Sequence, residues 1–154
     1  MNHEQKAEKE PIYKGALIIF YRLEQDNEPR FLVVKNTKTD NITFVGGAKD
    51  DTDSTVEVAA QRETQEELGI KPEEYYLIPT QQKHAFIFGP QKPERAGCRG
   101  SYNVYLADGS SFEKNLKHSS DLKSATWMTR AEVEQALTFP DLKEVFLKTI
   151  AEIQ

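Results

Sequence analysis

Three glutamates and an arginine stand close together in the segment RETQEELGI. Glu63 lies three residues before Glu66 and four before Glu67, so on a helix the three carboxylates project to neighbouring positions and repel one another. Oxygen ligands without histidine or cysteine suit Mg²⁺ or Mn²⁺, which neutralise clustered carboxylates and bridge to phosphate oxygens. Arg62 is placed to pair with Glu66 one turn later and to hold that carboxylate. The spacing indicates either a divalent-cation site or a charged, solvated helix face.

The segment that carries these acids has the pattern of a helix with both ends marked. Small and apolar side chains recur at helical spacing along residues 55–68. Ser54 and Glu57 have the spacing of a capping box, with Ser54 as the N-cap. Gly69 supplies a C-terminal stop. We therefore expect a helix of about four turns that presents the glutamates on one face.

Runs of β-branched and aromatic residues predict strands on both sides of this helix. YKGALIIFYRL and RFLVVKN precede it, and NITFVGGA predicts a third, short strand that ends at Gly46 and Gly47, where backbone can approach a ligand closely. The later strands are predicted at YYLIPT, HAFIFG, GSYNVYLAD and SATWMT, and two further helices at RAEVEQAL and DLKEVFLKTIAEI, with a break at Pro140. This order predicts an α/β fold with a mixed sheet and flanking helices.

Length and composition narrow the function classes. A chain of 154 residues suits one domain, here residues 12–154, after a polar and flexible N-terminal arm at 1–11. No apolar run reaches the length of about 18 residues that a membrane span needs, and the cytoplasm is the expected compartment. A net charge of −5 argues against extended nucleic-acid binding. The single cysteine, Cys98, excludes an internal disulfide and a cysteine-based zinc site.

The segment GGAKDDTDSTVEVAAQRETQEELGI resembles the Nudix box, whose pattern is G, five residues, E, seven residues, R-E-U-x-E-E-x-G-U, with U aliphatic. The resemblance implies a Nudix-type α/β/α sandwich and hydrolysis of a pyrophosphate linkage in a nucleoside diphosphate joined to another group. It implies that Glu63, Glu66 and Glu67 bind Mg²⁺ or Mn²⁺, with a carbonyl near Gly47 as a further ligand. It also implies catalytic roles for Glu63 and Glu66, with Arg62 orienting a carboxylate. The string RETQEE is similar to the diadenosine tetraphosphate hydrolase branch, which adds a dinucleoside polyphosphate as a substrate class.

The first glutamate of the pattern is missing. Counted back from Arg62, its position falls on Ser54 and the first glycine on Ala48. Counted forward from Gly47, Asp53 takes the glutamate position, with one extra residue before Arg62. We favour the one-residue insertion, with Asp53 as a partial substitute. The departure keeps a second hypothesis open, a catalytically weak or inactive Nudix-like domain that binds a nucleotide or a partner.

Several residues outside the box are candidates for the rest of the site. A catalytic base outside the box has four acidic candidates, Glu73, Glu74, Glu94 and Glu113. Guanidinium and ammonium groups that would contact phosphate are Lys92, Arg95 and Arg99, and the aromatic residues that would stack on a base or fill the core are Phe86, Phe88, Tyr102 and Tyr105. His84 and His118 each lack a recognisable constellation. The expected partner is a small nucleotide, and a homodimer is the commonest closed assembly.

Overall fold

The computed structural model describes residues 9–153, with side chains described from residue 12 onward. The predicted arm at 1–11 lies largely outside this range, and the first strand begins at Lys9. The elements are β1 (Lys9–Arg22), β2 (Arg30–Asn36), β3 (Ile42–Thr43), β4 (Val45–Ala48), α1 (Val56–Leu68), a 3₁₀ helix (Pro72–Glu74), β5 (Ile78–Ile87), β6 (Cys98–Asp108), β7 (Leu122–Met128), α2 (Arg130–Ala136) and α3 (Pro140–Ala151).

The seven strands form one sheet with β1 at its centre. β1 pairs in parallel with β6 along one edge. Its other edge pairs antiparallel with β4 over Gly15–Ile18 and then with β2 over Tyr21–Arg22. β2 also pairs with β3 and β7, and β5 pairs with β6, all antiparallel. The predicted mixed sheet is confirmed.

The two faces of the sheet bury separate cores because consecutive residues of β1 point to opposite sides. Leu17 and Ile19 belong to the core beneath α2 and α3, which includes Phe146. Ile18 and Phe20 belong to the core on the opposite face, where α1 packs. Helices on both faces confirm the predicted α/β/α sandwich. No helix within residues 9–153 is long and apolar enough to cross a membrane.

The strand predicted at NITFVGGA is wrong in one respect, because the structure divides it. β3 pairs with β2, whereas β4 pairs with β1, and Phe44 between them is buried. β4 and β2 pair with successive parts of the same edge of β1. The chain therefore leaves β2 after β3 and pairs with β1 from Val45 onward. This division leaves Gly46 and Gly47 on β4, beside the helix that carries the glutamates.

The N-cap of α1 is Thr55, so the prediction of Ser54 is wrong by one residue. The Thr55 side chain accepts a hydrogen bond from the Val58 N–H at 3.1 Å, and its backbone is extended. Ser54 is exposed outside the helix. The C-terminal stop is confirmed, since Gly69 adopts a left-handed conformation with φ of 70° and donates its N–H to the Gln65 carbonyl.

Replacement of Thr55 by alanine should lower the free energy of unfolding by about 1 kcal/mol, because the first turn of α1 loses the hydroxyl that accepts from the Val58 N–H. The matched control is Ser54→Ala, which removes the neighbouring hydroxyl and should change that free energy by less than about 0.5 kcal/mol. Urea unfolding of the two variants decides the point. An equal loss of unfolding free energy in the two variants would contradict the assignment of Thr55 as the N-cap.

Candidate active site

A cleft of about 780 Å³ opens between β4, the carboxylate face of α1, β5 and the first turn of α3. This volume is typical of small-ligand sites. Three of the four predicted metal ligands, Gly47, Glu63 and Glu67, line it together with Arg62. Glu66 does not line it. The Glu66 carboxylate is 58% exposed and lies on the outer side of α1.

Arg62 is the centre of an ion-pair network. Its Nε and one terminal nitrogen donate to the two oxygens of Asp53, each at 3.0 Å. Its other terminal nitrogen donates to Glu63 Oε1 at 2.9 Å and to Glu66 Oε1 at 3.1 Å. The contact expected between Arg62 and Glu66 is therefore present. Hydrogen bonding to Asp53 raises the pKa of Arg62 further above its usual range, so the guanidinium stays charged.

The sequence left open whether Asp53 or Ser54 stands at the position of the first glutamate of the pattern. In the structure, Asp53 is the one that pairs with Arg62. Its carboxylate is almost fully buried, and it also accepts a hydrogen bond from the Asp50 N–H at 3.0 Å. Hydrogen bonds from Arg62 are the main cause that lowers the pKa of Asp53 to about 2. Ser54 makes none of these contacts among the described residues. Asp53, and not Ser54, is therefore the residue that contacts Arg62.

Glu63 and Glu67 are held in a partly dehydrated place. The Glu63 side chain packs against Gly47, where a Cβ atom would lie only 3.3 Å from Glu63 Cγ. Burial raises the pKa of Glu63, and the Arg62 charge opposes that shift. Burial is also the main cause that raises the pKa of Glu67 to about 7, with the charges of Glu63 and Asp121 adding to it. A nearby positive charge would relieve this penalty for both carboxylates.

Asp121 is a carboxylate of the cleft that the sequence analysis missed. Its loop is tied to α1 by a hydrogen bond from the Ser119 N–H to the Glu67 carbonyl at 2.8 Å. The same loop is tied to the turn after β2, where the Thr37 N–H donates to the Asp121 carbonyl at 2.9 Å. The Asp121 side chain is exposed, and no hydrogen bond or ion pair engages it within residues 9–153. Its position directly before the tryptophan-bearing strand was the only available signal.

The carboxylates fit a divalent cation by their chemistry, although their present arrangement is not a closed coordination site. Glu67 and Glu63 are hard oxygen donors. Burial raises the pKa of both, so a divalent cation beside them would favour their ionised forms. Within residues 9–153, no group of three or more His, Cys, Asp or Glu side chains is arranged to hold a metal ion. Arg62 donates to Oε1 of Glu63 and to Oε1 of Glu66, which leaves the second oxygen of each carboxylate outside these hydrogen bonds.

The four acids predicted as bases outside the box do not line the cleft. Glu74 instead caps the 3₁₀ helix, where its carboxylate accepts from the Lys71 N–H at 2.8 Å. Glu73, Glu94 and Glu113 are exposed at other places on the surface. The structure brings none of them to the carboxylates of α1.

Two of the three predicted phosphate-contacting cations line the cleft, Lys92 and Arg95. The Arg95 guanidinium lies over two aromatic rings, 4.8 Å from the Tyr13 centroid and 5.6 Å from that of Phe88. Stacking fixes the guanidinium without using its N–H donors. Arg99 lies on β6 and is not part of the lining.

The aromatic candidates separate in the same way. Phe86, Phe88 and Tyr102 line the cleft and also pack into the core below it. Tyr105 points to the other face, where its hydroxyl donates to Glu57 Oε2 at 2.6 Å and ties α1 to the sheet. His84 lines the cleft, whereas His118 lies outside it and hydrogen-bonds the Ser119 carbonyl.

Comparisons with known proteins agree with this architecture. A family model described as NUDIX domain matches residues 13–149. No curated protein matches the sequence. A C. elegans Ap4A hydrolase structure superposes with a TM-score of 0.76 at 19% identity, over 92% of this chain and 98% of that one. The E. coli dihydroneopterin triphosphate pyrophosphohydrolase gives 0.73 at 17% identity, over 94% and 98%. The NUDIX domain of Shewanella oneidensis NrtR, in complex with ADP ribose, gives 0.70 at 15% identity, over 99% and 95%. At these identities the superpositions show a shared fold.

Proposed function

Because the chain belongs to the NUDIX family, a membership that supports a pyrophosphohydrolase, we propose that it cleaves the pyrophosphate linkage of a nucleoside diphosphate derivative or a dinucleoside polyphosphate with Mg²⁺ or Mn²⁺. The observation that carries the proposal is the pair of half-buried carboxylates, Glu63 and Glu67, in the wall of a ligand-sized cleft. A protein that needed only a charged surface would place these groups in water, where they do not lose hydration energy.

Glu63, Glu66 and Glu67 would hold the cation, with the backbone at Gly47 beside them. A bound divalent cation supplies Lewis-acid polarisation of phosphate oxygens and lowers the pKa of the attacking water. Arg62, fixed by Asp53, keeps the Glu63 side chain turned toward the cleft. Asp121 is our candidate for the base that accepts the proton of the attacking water, because its carboxylate lines the same cleft as Glu67, raises the pKa of Glu67, and is not engaged by Arg62.

Lys92 and Arg95 would bind the phosphates that are not cleaved. Both line the cleft. Burial raises the pKa values of Glu63 and Glu67, and the positive charge of Lys92 lies close enough to oppose that rise in part. The stacked Arg95 guanidinium presents its donors in a rigid plane, which suits bidentate contact with phosphate. A substrate with several phosphates in a row would use both cations. The cytoplasm stays the proposed compartment, on the sequence grounds given above.

The alternative of a binding domain without turnover has one observation in its favour. Arg62 occupies Glu63 and Glu66 together, so the carboxylates are neutralised in part without a metal ion. A nucleotide bound through Lys92 and Arg95 would not need the cation. The two functions therefore differ in their requirement for metal.

The test is product release from a panel of nucleoside diphosphate derivatives and dinucleoside polyphosphates, measured with Mg²⁺, with Mn²⁺ and with chelator. Turnover that requires the cation and stops with chelator is expected, and the panel members that react define the substrate class. Nucleotide binding that survives chelation, with no panel member cleaved, would replace the hydrolase by the binding domain.

A further inference from the structure

His84 and Asp141 form a pair at the end of the cleft that faces β5. The ring nitrogen Nε2 of His84 lies 3.0 Å from Asp141 Oδ2, between β5 and the first turn of α3. The His84 side chain is only 8% exposed, whereas that of Asp141 is 54% exposed. Both residues line the cleft, and the reaction proposed above uses neither.

The pair determines what the other ring nitrogen of His84 offers. An ionised Asp141 carboxylate only accepts hydrogen bonds, so Nε2 must carry the proton between them. In the neutral ring Nδ1 is then an acceptor. Within residues 9–153 no hydrogen bond to Nδ1 is present. The His84 ring is thus fixed by Asp141, and in its neutral form Nδ1 is an acceptor that no described residue engages.

Strand pairing gives the span of the sheet between His84 and β4, the strand beside Glu63. His84 pairs with Tyr102, Tyr102 with Gly15, and Gly15 with Ala48, which follows Gly47 on β4. The Cα atoms of His84 and Ala48 are therefore three strand spacings of about 4.8 Å apart, or about 14 Å in all. Glu63 and His84 line the same cleft, so a nucleotide with a phosphate at Glu63 and its base along this row would bring the edge of the base toward His84. A purine, with its second ring, would reach farther along the row than a pyrimidine.

The floor between the two ends is aromatic. The Tyr102 ring covers Gly15, where a Cβ would lie 2.7 Å from Tyr102 Cε1. The Phe86 ring covers Gly100 in the same way, and the two rings meet edge to face with centroids 4.9 Å apart. His84 stacks on Phe86 at 5.1 Å. A flat base fits over such a surface, with its edge toward His84.

We propose that Nδ1 of His84 accepts a hydrogen bond from the exocyclic amino group of a purine, which makes His84 a specificity-determining residue and Asp141 its positioning residue. This inference rests on the proposed function, since it assigns one end of the same nucleotide. It predicts that the cleft distinguishes purines with an amino group from purines without one.

The experiment compares calorimetric binding of nucleoside monophosphates, which have no pyrophosphate linkage to cleave, in the presence of Mg²⁺. AMP is paired with purine riboside monophosphate, and GMP with IMP, because each pair differs at an amino group. Wild type should bind the amino form of at least one pair about tenfold more tightly, the size of one hydrogen bond. His84→Gln should bring that ratio to about one. His84→Asn, whose shorter side chain places an amide near Nδ1, should restore part of it.

Lys83→Gln is the matched control, because Lys83 is the exposed neighbour of His84 on the opposite face of β5. It should keep the wild-type ratio. With a reacting substrate, His84→Gln should raise KM about tenfold and leave kcat within about twofold, whereas damage to the fold would lower both.

Equal binding within both pairs by wild type, or an unchanged ratio in His84→Gln, would overturn the assignment of His84. If the panel then still showed metal-dependent turnover, the hydrolase would stand without it. If the affinity ratio depended on His84 while no panel compound was cleaved, the assignment of His84 would be supported and the proposed hydrolase activity would be contradicted.

Discussion

Replacement of Glu67 by glutamine should lower kcat by about a thousandfold while making the metal-free protein more stable. The first effect follows because glutamine lacks the charge that the proposed cation site needs. The second follows because the folded protein raises the pKa of this carboxyl from 4.5 to about 7, so ionised Glu67 opposes folding. This cost is absent below about pH 4.5 and complete above about pH 7. After allowance for partial exposure, the gain in the free energy of unfolding at pH 8 is about 1 to 2 kcal/mol.

Urea unfolding in chelator at pH 5 and pH 8 tests the stability part, and the gain should be larger at pH 8. Mg²⁺ should stabilise wild type and leave Glu67→Gln nearly unchanged. Glu73→Gln is the control, because it removes one negative charge from the exposed surface outside the cleft. A variant that retained wild-type turnover would remove Glu67 from the reaction. A variant less stable than wild type at pH 8 would show that the carboxylate does not oppose folding.

Replacement of Asp53 by asparagine should lower the free energy of unfolding by about 2 kcal/mol at pH 7. Arg62 donates one hydrogen bond to each oxygen of the buried carboxylate. Asparagine is uncharged and replaces one of these oxygens by an NH₂ group, which is a donor and cannot accept from Arg62. The loss stays near 2 kcal/mol because Arg62 keeps Glu63 and Glu66 as partners and is not left unpaired. Turnover should also fall, since Arg62 loses the contact that fixes it.

The pH dependence identifies the cause. The pKa of Asp53 is lowered from 3.8 to about 2, so its contribution is present above pH 3.8 and is lost as the pH falls toward 2. The difference between wild type and Asp53→Asn should therefore shrink between pH 7 and pH 3 in urea unfolding. Asp51→Asn, an exposed acid two residues away, should cost less than about 0.5 kcal/mol at both pH values. An equal cost for the two variants would mean that the pair with Arg62 contributes nothing specific.

Local periodicity determined much of this protein. The helix that carries the glutamates ends at Leu68, before Gly69, as its pattern predicted, and β2 covers the residues of RFLVVKN. The contact between Arg62 and Glu66 follows from helix geometry alone, because residues four apart are neighbours on any helix. The order of the predicted strands and helices likewise indicated a mixed sheet with flanking helices.

Contacts between distant parts of the chain were decided only by the tertiary structure. Ser54 and Asp53 are adjacent, and the path of the loop after β4 determines which of them reaches Arg62. Asp121 reaches the cleft of Glu67 because one loop is hydrogen-bonded to both α1 and the turn after β2. The pairing of His84 with Asp141 joins residues on different elements, and nothing in either local segment encodes it. The raised pKa of Glu67 also depends on tertiary structure, because its main cause is burial. A sequence pattern specifies which face of a helix a residue lies on, but it does not specify which elements pack against that face.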